Sequence, residues 1–120
     1  MKRIAVVEDN PDNMLLIHAI LDDIYDIDEY ETGRSALDGL RENIPCLVLL
    51  DISLPGMDGV QILSEIRKDD NLKNLPVIAL TAHAMTGDKD KYIKIGFNGY
   101  VSKPIIDEYV LINTINELLK

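Results

Sequence analysis

Three short runs, residues 3–7, 47–50 and 77–80, are almost wholly Val, Ile, Leu and Ala, and segments of helical periodicity separate them. A strand that is apolar on both faces must be covered on both. A chain that alternates such strands with helices therefore points to a parallel sheet sandwiched between helical layers. Two further strand candidates, residues 26–30 and 99–101, are more polar or shorter. A sheet edge tolerates that and a sheet centre does not, which places at least the first at an edge. Helices are predicted over 11–23, carrying Leu15, Leu16, Ile17, Ala19, Ile20 and Leu21, and over 35–43, carrying Ala36, Leu37 and Leu40. Three more are predicted from about 58 to 69, 87 to 95 and 107 to 119. The fold class expected from this pattern is α/β, with five parallel strand and helix pairs doubly wound in one domain over residues 1–120.

Composition narrows the function. At 120 residues and 47% apolar content the chain can bury one core without disulfide staples, and Cys46, its only cysteine, excludes an internal disulfide. The run after Met1-Lys2-Arg3 stops at Glu8, too soon for a secretion signal, and the longest stretch free of Asp, Glu, Lys and Arg, residues 74–87, is too short to span a bilayer. A reducing cytoplasm is the expected location, with Cys46 a small buried hydrophobe. Twelve Lys and Arg stand against 21 Asp and Glu, a formal net charge of −9. That balance opposes direct binding to nucleic acid or anionic lipid. It suits a divalent cation or a basic protein partner, although it also serves solubility.

In an open parallel sheet, ligands bind outside the carboxyl ends of the strands. The residues there are Glu8-Asp9-Asn10, Asp51-Ile52-Ser53, Thr81-Ala82-His83 and Ser102-Lys103-Pro104. A lone Asp after a strand often does no more than cap a helix. Three carboxylates and an ammonium at one rim are a different matter. The acids raise one another's pKa unless a cation neutralises them. With oxygen donors and no His or Cys at zinc spacing, that cation is expected to be Mg²⁺, with Mn²⁺ next.

The pattern Val-Val-Glu8-Asp9-Asn10, Leu-Leu-Asp51-Ile-Ser-Leu-Pro55-Gly-Met-Asp58-Gly59, Ala-Leu-Thr81-Ala82 and Tyr100-Val-Ser-Lys103-Pro104 resembles the receiver domains of two-component response regulators. The resemblance covers the whole chain and implies a flavodoxin-like strand order 2-1-3-4-5. It implies that Asp51 is the phosphoacceptor, that Asp9 and Asp51 bind Mg²⁺ directly with Glu8 acting largely through water, and that the backbone carbonyl of Ser53 completes the set. Asp51 would then displace the imidazole of a phosphohistidine on a histidine kinase or histidine phosphotransfer protein, or the leaving group of a small acyl or amido phosphate. Lys103, aimed inward by a cis Lys103-Pro104 bond, and Thr81 would hold the phosphoryl oxygens. Movement of Thr81 would let Tyr100 swing inward and repack the face of the fourth helix, fifth strand and fifth helix for a downstream protein target. The positions of Ser53 and His83 would tune the lifetime of the acyl phosphate, the His83 imidazole shielding it. The chain would catalyse its own phosphorylation and slow dephosphorylation without being a turnover enzyme.

His18, in the first predicted helix with no catalytic neighbour in the pattern, is expected to be solvated or partly packed. Cys46 stands where the family often has Asp. The run from Asp9 to Asn13 looks most like the first loop of hybrid-kinase and stand-alone cell-cycle receivers. Two rivals share the architecture. A haloacid-dehalogenase-type Mg²⁺-dependent phosphatase needs a second Asp two residues after its nucleophile, where this chain has Ser53. A flavodoxin-like redox protein needs a Ser/Thr/Gly-rich phosphate loop after the first strand, which is missing here. The reading is a single-domain receiver that signals through protein contacts, with no output segment after Lys120. A module excised from a hybrid histidine kinase remains the alternative, and monomer and weak phosphorylation-dependent dimer both stay open.

Overall fold

The computed structural model of the chain describes residues 1–82, 88–105 and 107–119. Strands and helices alternate throughout: β1 (Arg3–Val7), α1 (Pro11–Leu21), β2 (Asp26–Tyr30), α2 (Gly33–Glu42), β3 (Leu47–Asp51), α3 (Gly59–Lys68), β4 (Val77–Thr81), α4 (Asp88–Ile95), β5 (Gly99–Ser102) and α5 (Glu108–Leu118). All strand pairs are parallel, in the order β2-β1-β3-β4-β5. The polar β2 and the short β5 are the edges, and the three apolar runs fill the centre.

Alternation along each strand divides the core in two. Ala5, Val7, Val48, Leu50, Val77 and Ala79 face α2, α3 and α4, where Leu37, Leu40, Ile62, Leu63 and Ile66 cover them. Ile4, Val6, Leu47, Leu49, Ile78 and Leu80 face α1 and α5, where Met14, Ile17, Leu21, Leu111 and Ile115 cover them. Each large aliphatic side chain buried in this way stabilises the fold by about 1.5–3 kcal/mol. Among the described residues no helix is long and apolar enough to cross a membrane.

Side-chain caps fix the helix starts. The Asn10 side chain accepts from the amides of Asp12 and Asn13, with Pro11 in the first turn of α1. Thr32 with Ser35, and Asp58 with Gln61, form reciprocal capping boxes at α2 and α3. The first of these boxes starts α2 at Gly33, two residues before the predicted Ser35. At the far end of α1 the helix stops at Leu21 instead of Asp23, because the amides of Ile24 and Tyr25 both return to the Leu21 carbonyl and turn Tyr25 into the core.

Three further expectations are corrected. Leu15 and Leu16 do not face inward: they are 70% and 40% exposed, and α1 buries Met14, Ile17 and Leu21 instead. Cys46 is only half-buried, and its thiol donates to the Arg3 carbonyl at 3.1 Å. Strands 3, 4 and 5 each run one residue further than their apolar runs, taking in Asp51, Thr81 and Ser102. Pairing continues because the Ile52 amide donates to the Leu80 carbonyl at 3.0 Å and the Lys103 amide to that of Thr81 at 2.7 Å. Half-buried His18 lies beside Glu29, Nδ1 to Oε1 3.7 Å. The predicted start of the fourth helix, Gly87, lies outside the described residues.

Candidate functional site

The register brings the carboxyl ends of the central strands level, Val7 beside Leu50 and Asp51 beside Leu80, with Thr81 beside Ser102. Glu8 follows β1 directly and is only 1% exposed, because its amide still donates to the Tyr30 carbonyl at 3.0 Å, holding it at the end of the sheet. Asp9 turns outward. Asp51, the last residue of β3, is 2% exposed. One oxygen from each of Glu8, Asp9 and Asp51 can be chosen so that all lie within 4.8 Å of one another.

Lys103 comes across from the end of β5. Its Nζ donates to Glu8 Oε1 at 3.0 Å and lies 3.1 Å from Asp51 Oδ1, with its side chain 13% exposed. The Lys103-Pro104 peptide is cis. Asp51 Oδ1 also accepts from the Ser53 amide at 3.0 Å, and Glu8 Oε2 from the Asn10 amide at 3.3 Å. Thr81 is fully buried at the same rim. Ser53 is exposed in the loop beyond β3, and His83 lies outside the described residues.

Charge is distributed unevenly across this cluster. Burial, reinforced by the neighbouring Asp51, raises the Glu8 carboxyl from 4.5 to about 7, with Lys103 and the Asn10 amide pulling the other way. Burial acts upward on Asp51 too, but its hydrogen bonds from Glu8, the Ser53 amide and Lys103 outweigh it and hold Asp51 below the usual carboxylate range. Lys103, which burial alone would lower, is raised by the two carboxylates it bridges. Asp51 is therefore the ionised member of the buried pair, with a lone pair available at neutral pH, and Glu8 is the member that holds a proton more tightly.

Three carboxylates against one ammonium leave the cluster short of positive charge. Its donors are all oxygens, which suit a hard divalent cation. Two oxygens on opposite sides of Mg²⁺ are about 4.2 Å apart, close to the spread seen here, so the residues present fit that ion.

Two features of the surroundings go beyond the motif that the sequence offers. A Cβ on Gly59 would stand 2.6 Å from the Asp51 carbonyl oxygen and 2.8 Å from Ile52 Cα, so the start of α3 can lie against the end of β3 only because this residue has no side chain. The Asp-Gly at the helix start was the available signal. Tyr92 stacks on Tyr100, ring centroids 5.9 Å apart and 22° between planes, and meets Phe97 edge-on at 5.9 Å. No local pattern announces that pairing.

Comparison with known proteins agrees with this geometry. Residues 4–116 match the family model described as the response regulator receiver domain. The polar-differentiation response regulator DivK of Brucella anthropi is 41% identical over 109 residues, 87% of this chain and 85% of that protein. Sensor protein GacS of Pseudomonas syringae pv. syringae is 38% identical over 107 residues, which are 86% of this chain but 12% of that protein. The receiver domain of a sensor histidine kinase from Pseudomonas aeruginosa superposes with a TM-score of 0.88 at 32% identity, covering 98% of this chain and 97% of that one. That structure has a magnesium ion coordinated in its active site cleft.

Proposed function

The chain belongs to the response regulator receiver domain family, and from that premise we propose that it is a switch set by transfer of a phosphoryl group to Asp51. One observation carries the reading: a buried ionised carboxylate at a strand end, with an ammonium 3.1 Å away and two further acids beside it. The donor is a phosphohistidine on a histidine kinase or phosphotransfer protein, or a small acyl or amido phosphate. An Asp51 oxygen forms the new O–P bond as the P–N bond to imidazole breaks, and the imidazole leaves with the bonding electron pair and takes up a proton. The products are an aspartyl phosphate and free histidine.

Glu8, Asp9, Asp51 and the Ser53 carbonyl would hold Mg²⁺. Bound there, the ion supplies positive charge to the phosphoryl oxygens. Lys103 supplies a second positive charge. Its bond to Asp51 must loosen as the carboxylate becomes an acyl phosphate, which frees the ammonium to follow the phosphoryl group. The Thr81 hydroxyl can donate to the same group from the adjoining strand. Since Thr81 and Tyr100 lie on the neighbouring strands β4 and β5, a shift of the threonine repacks the Tyr92–Tyr100 stack, and a charge change at Asp51 becomes a shape change on the face of α4, β5 and α5.

Ser53 stands where a phosphatase of the aspartyl-nucleophile class carries its general acid, which favours a long-lived phosphoprotein over turnover. The test is intact mass after incubation with acetyl phosphate, with and without Mg²⁺, on the native chain and on Asp51→Asn. A Mg²⁺-dependent phosphoryl adduct that Asp51→Asn abolishes is expected. No adduct from either acetyl phosphate or a phosphorylated phosphotransfer protein, or an adduct that survives in Asp51→Asn, would overturn the proposal.

A further inference from the structure

The acidity of the chain is not uniform. Residues 1–58 hold 13 Asp and Glu against four Lys and Arg, whereas residues 59–102 hold five against six. The region with the reversed balance includes α3 and α4, and a groove of about 420 Å³ runs between them. Its apolar surface comes from Val60, Leu63 and Ile95, its edge from Ser64, Arg67 and Lys68. Ile95 is 41% exposed, on a helix whose Tyr92 is buried.

The positive charge at this edge is not cancelled internally. Arg67 donates to the carbonyls of Lys73, Leu75 and Gly96 and to Asn98 Oδ1, at 2.7–3.0 Å, all neutral acceptors. A guanidinium so bound is fixed in place and keeps its charge. Among the described residues neither Arg67 nor Lys68 makes an ion pair, nor does Lys94, which precedes Ile95 in α4. Lysines and arginines in the last turn of a helix do favour its dipole, and that accounts for their tolerance there. It does not account for an open apolar groove beside them.

We propose that the α3–α4 groove is a docking surface for an acidic, apolar segment of a partner protein, its Leu, Ile or Phe side chains seated over Val60, Leu63 and Ile95 and its Asp or Glu side chains facing Arg67, Lys68 and Lys94. Charge complementarity selects this occupant: the rest of the surface repels an acidic segment, so the groove both attracts it and fixes where it lands. The groove volume falls in the range of sites that enclose small apolar groups, about 300–1,000 Å³. Ile95 and Val60 supply the apolar contact and the fixed guanidinium supplies direction.

A random peptide library displayed on phage and selected against the native chain tests this, with binding sites mapped by backbone amide shifts. Selected peptides are expected to combine Asp or Glu with Leu, Ile or Phe and to shift the amides of Val60, Ser64, Lys68 and Ile95. The double variant Lys68→Glu/Lys94→Glu should weaken them about tenfold or more, as should Ile95→Asp, and Lys-for-Glu versions of the peptides should recover binding to the double variant. All of these changes are on the surface, and the amide spectrum checks that each variant is folded. Basic or uncharged binders, binders indifferent to the charge reversal, or shifts confined to α1 and β2 would overturn the proposal. Amide shifts that change on dilution of the native chain alone would also overturn it, because a second copy would then occupy the groove.

Discussion

The buried Glu8 makes a prediction about stability that runs against the usual behaviour of carboxylates. Its value rises from 4.5 to about 7 on folding, so the folded chain binds a proton more tightly than the unfolded one. Wherever the folded state holds more protons, stability falls as pH rises. The loss begins near the unfolded value of 4.5 and is complete above about 7. Each tenfold change in proton affinity is worth about 1.4 kcal/mol, so the metal-free chain should lose about 3 kcal/mol across that interval. Asp51, whose value is lowered, contributes stability that disappears only below its unfolded value of 3.8. Lys103, whose value is raised, contributes stability that disappears only above 10.5. Neither masks Glu8 in the window. Urea denaturation in the presence of a chelator, from about pH 5 to about pH 8, reads the effect: at a slope of about 1–3 kcal/mol per molar urea, the midpoint should drop by about 1–3 M. Glu8→Gln, neutral at every pH, should remove the decline. A native midpoint that stays level across the window, or a decline that persists in Glu8→Gln, would refute the account of the buried pair.

Two further outcomes follow from the same geometry. Mg²⁺ bound at this cluster would compete with the Glu8 proton, so its apparent affinity should fall as the pH drops below about 7, and titration calorimetry in buffers of different ionisation enthalpy should show proton release near neutral pH. Gly59→Ala, which sets a methyl group against the backbone of Asp51 and Ile52, should cost about 1–3 kcal/mol by thermal melting, whereas Gly56→Ala, with open space around it and φ of 80°, should cost about 1 kcal/mol.

The sheet and its rim were legible because both rest on local signals. An apolar run reads as a buried strand wherever it occurs, and in a parallel sheet the residues after each run must share one end, so Glu8, Asp9, Asp51, Thr81 and Lys103 fall together. What could not be read depends on choice among equals or on distant partners. Met14, Leu15, Leu16 and Ile17 are consecutive and apolar, so periodicity alone does not say which pair turns inward; packing against β1 and β3 selects Met14 and Ile17. The bond from Lys103 to Glu8 joins residues 95 apart in sequence, and no window of sequence contains both. The strand ends at Asp51 and Thr81 were set short because polar side chains look like loop, although a backbone pairs regardless of the side chain it carries.

The strand order has a consequence for how the molecule is assembled. Chains emerge from the ribosome N-terminus first, and here β2, β1 and β3, contiguous in the sheet and carrying Glu8, Asp9 and Asp51, are all made before β4 and β5. The nascent sheet then grows at one edge only, by β4 and finally β5. Its acids face one another uncompensated until that last strand delivers Lys103. The Lys103 ammonium thus serves as a latch, giving the final docking step an electrostatic pull that a half-made chain lacks.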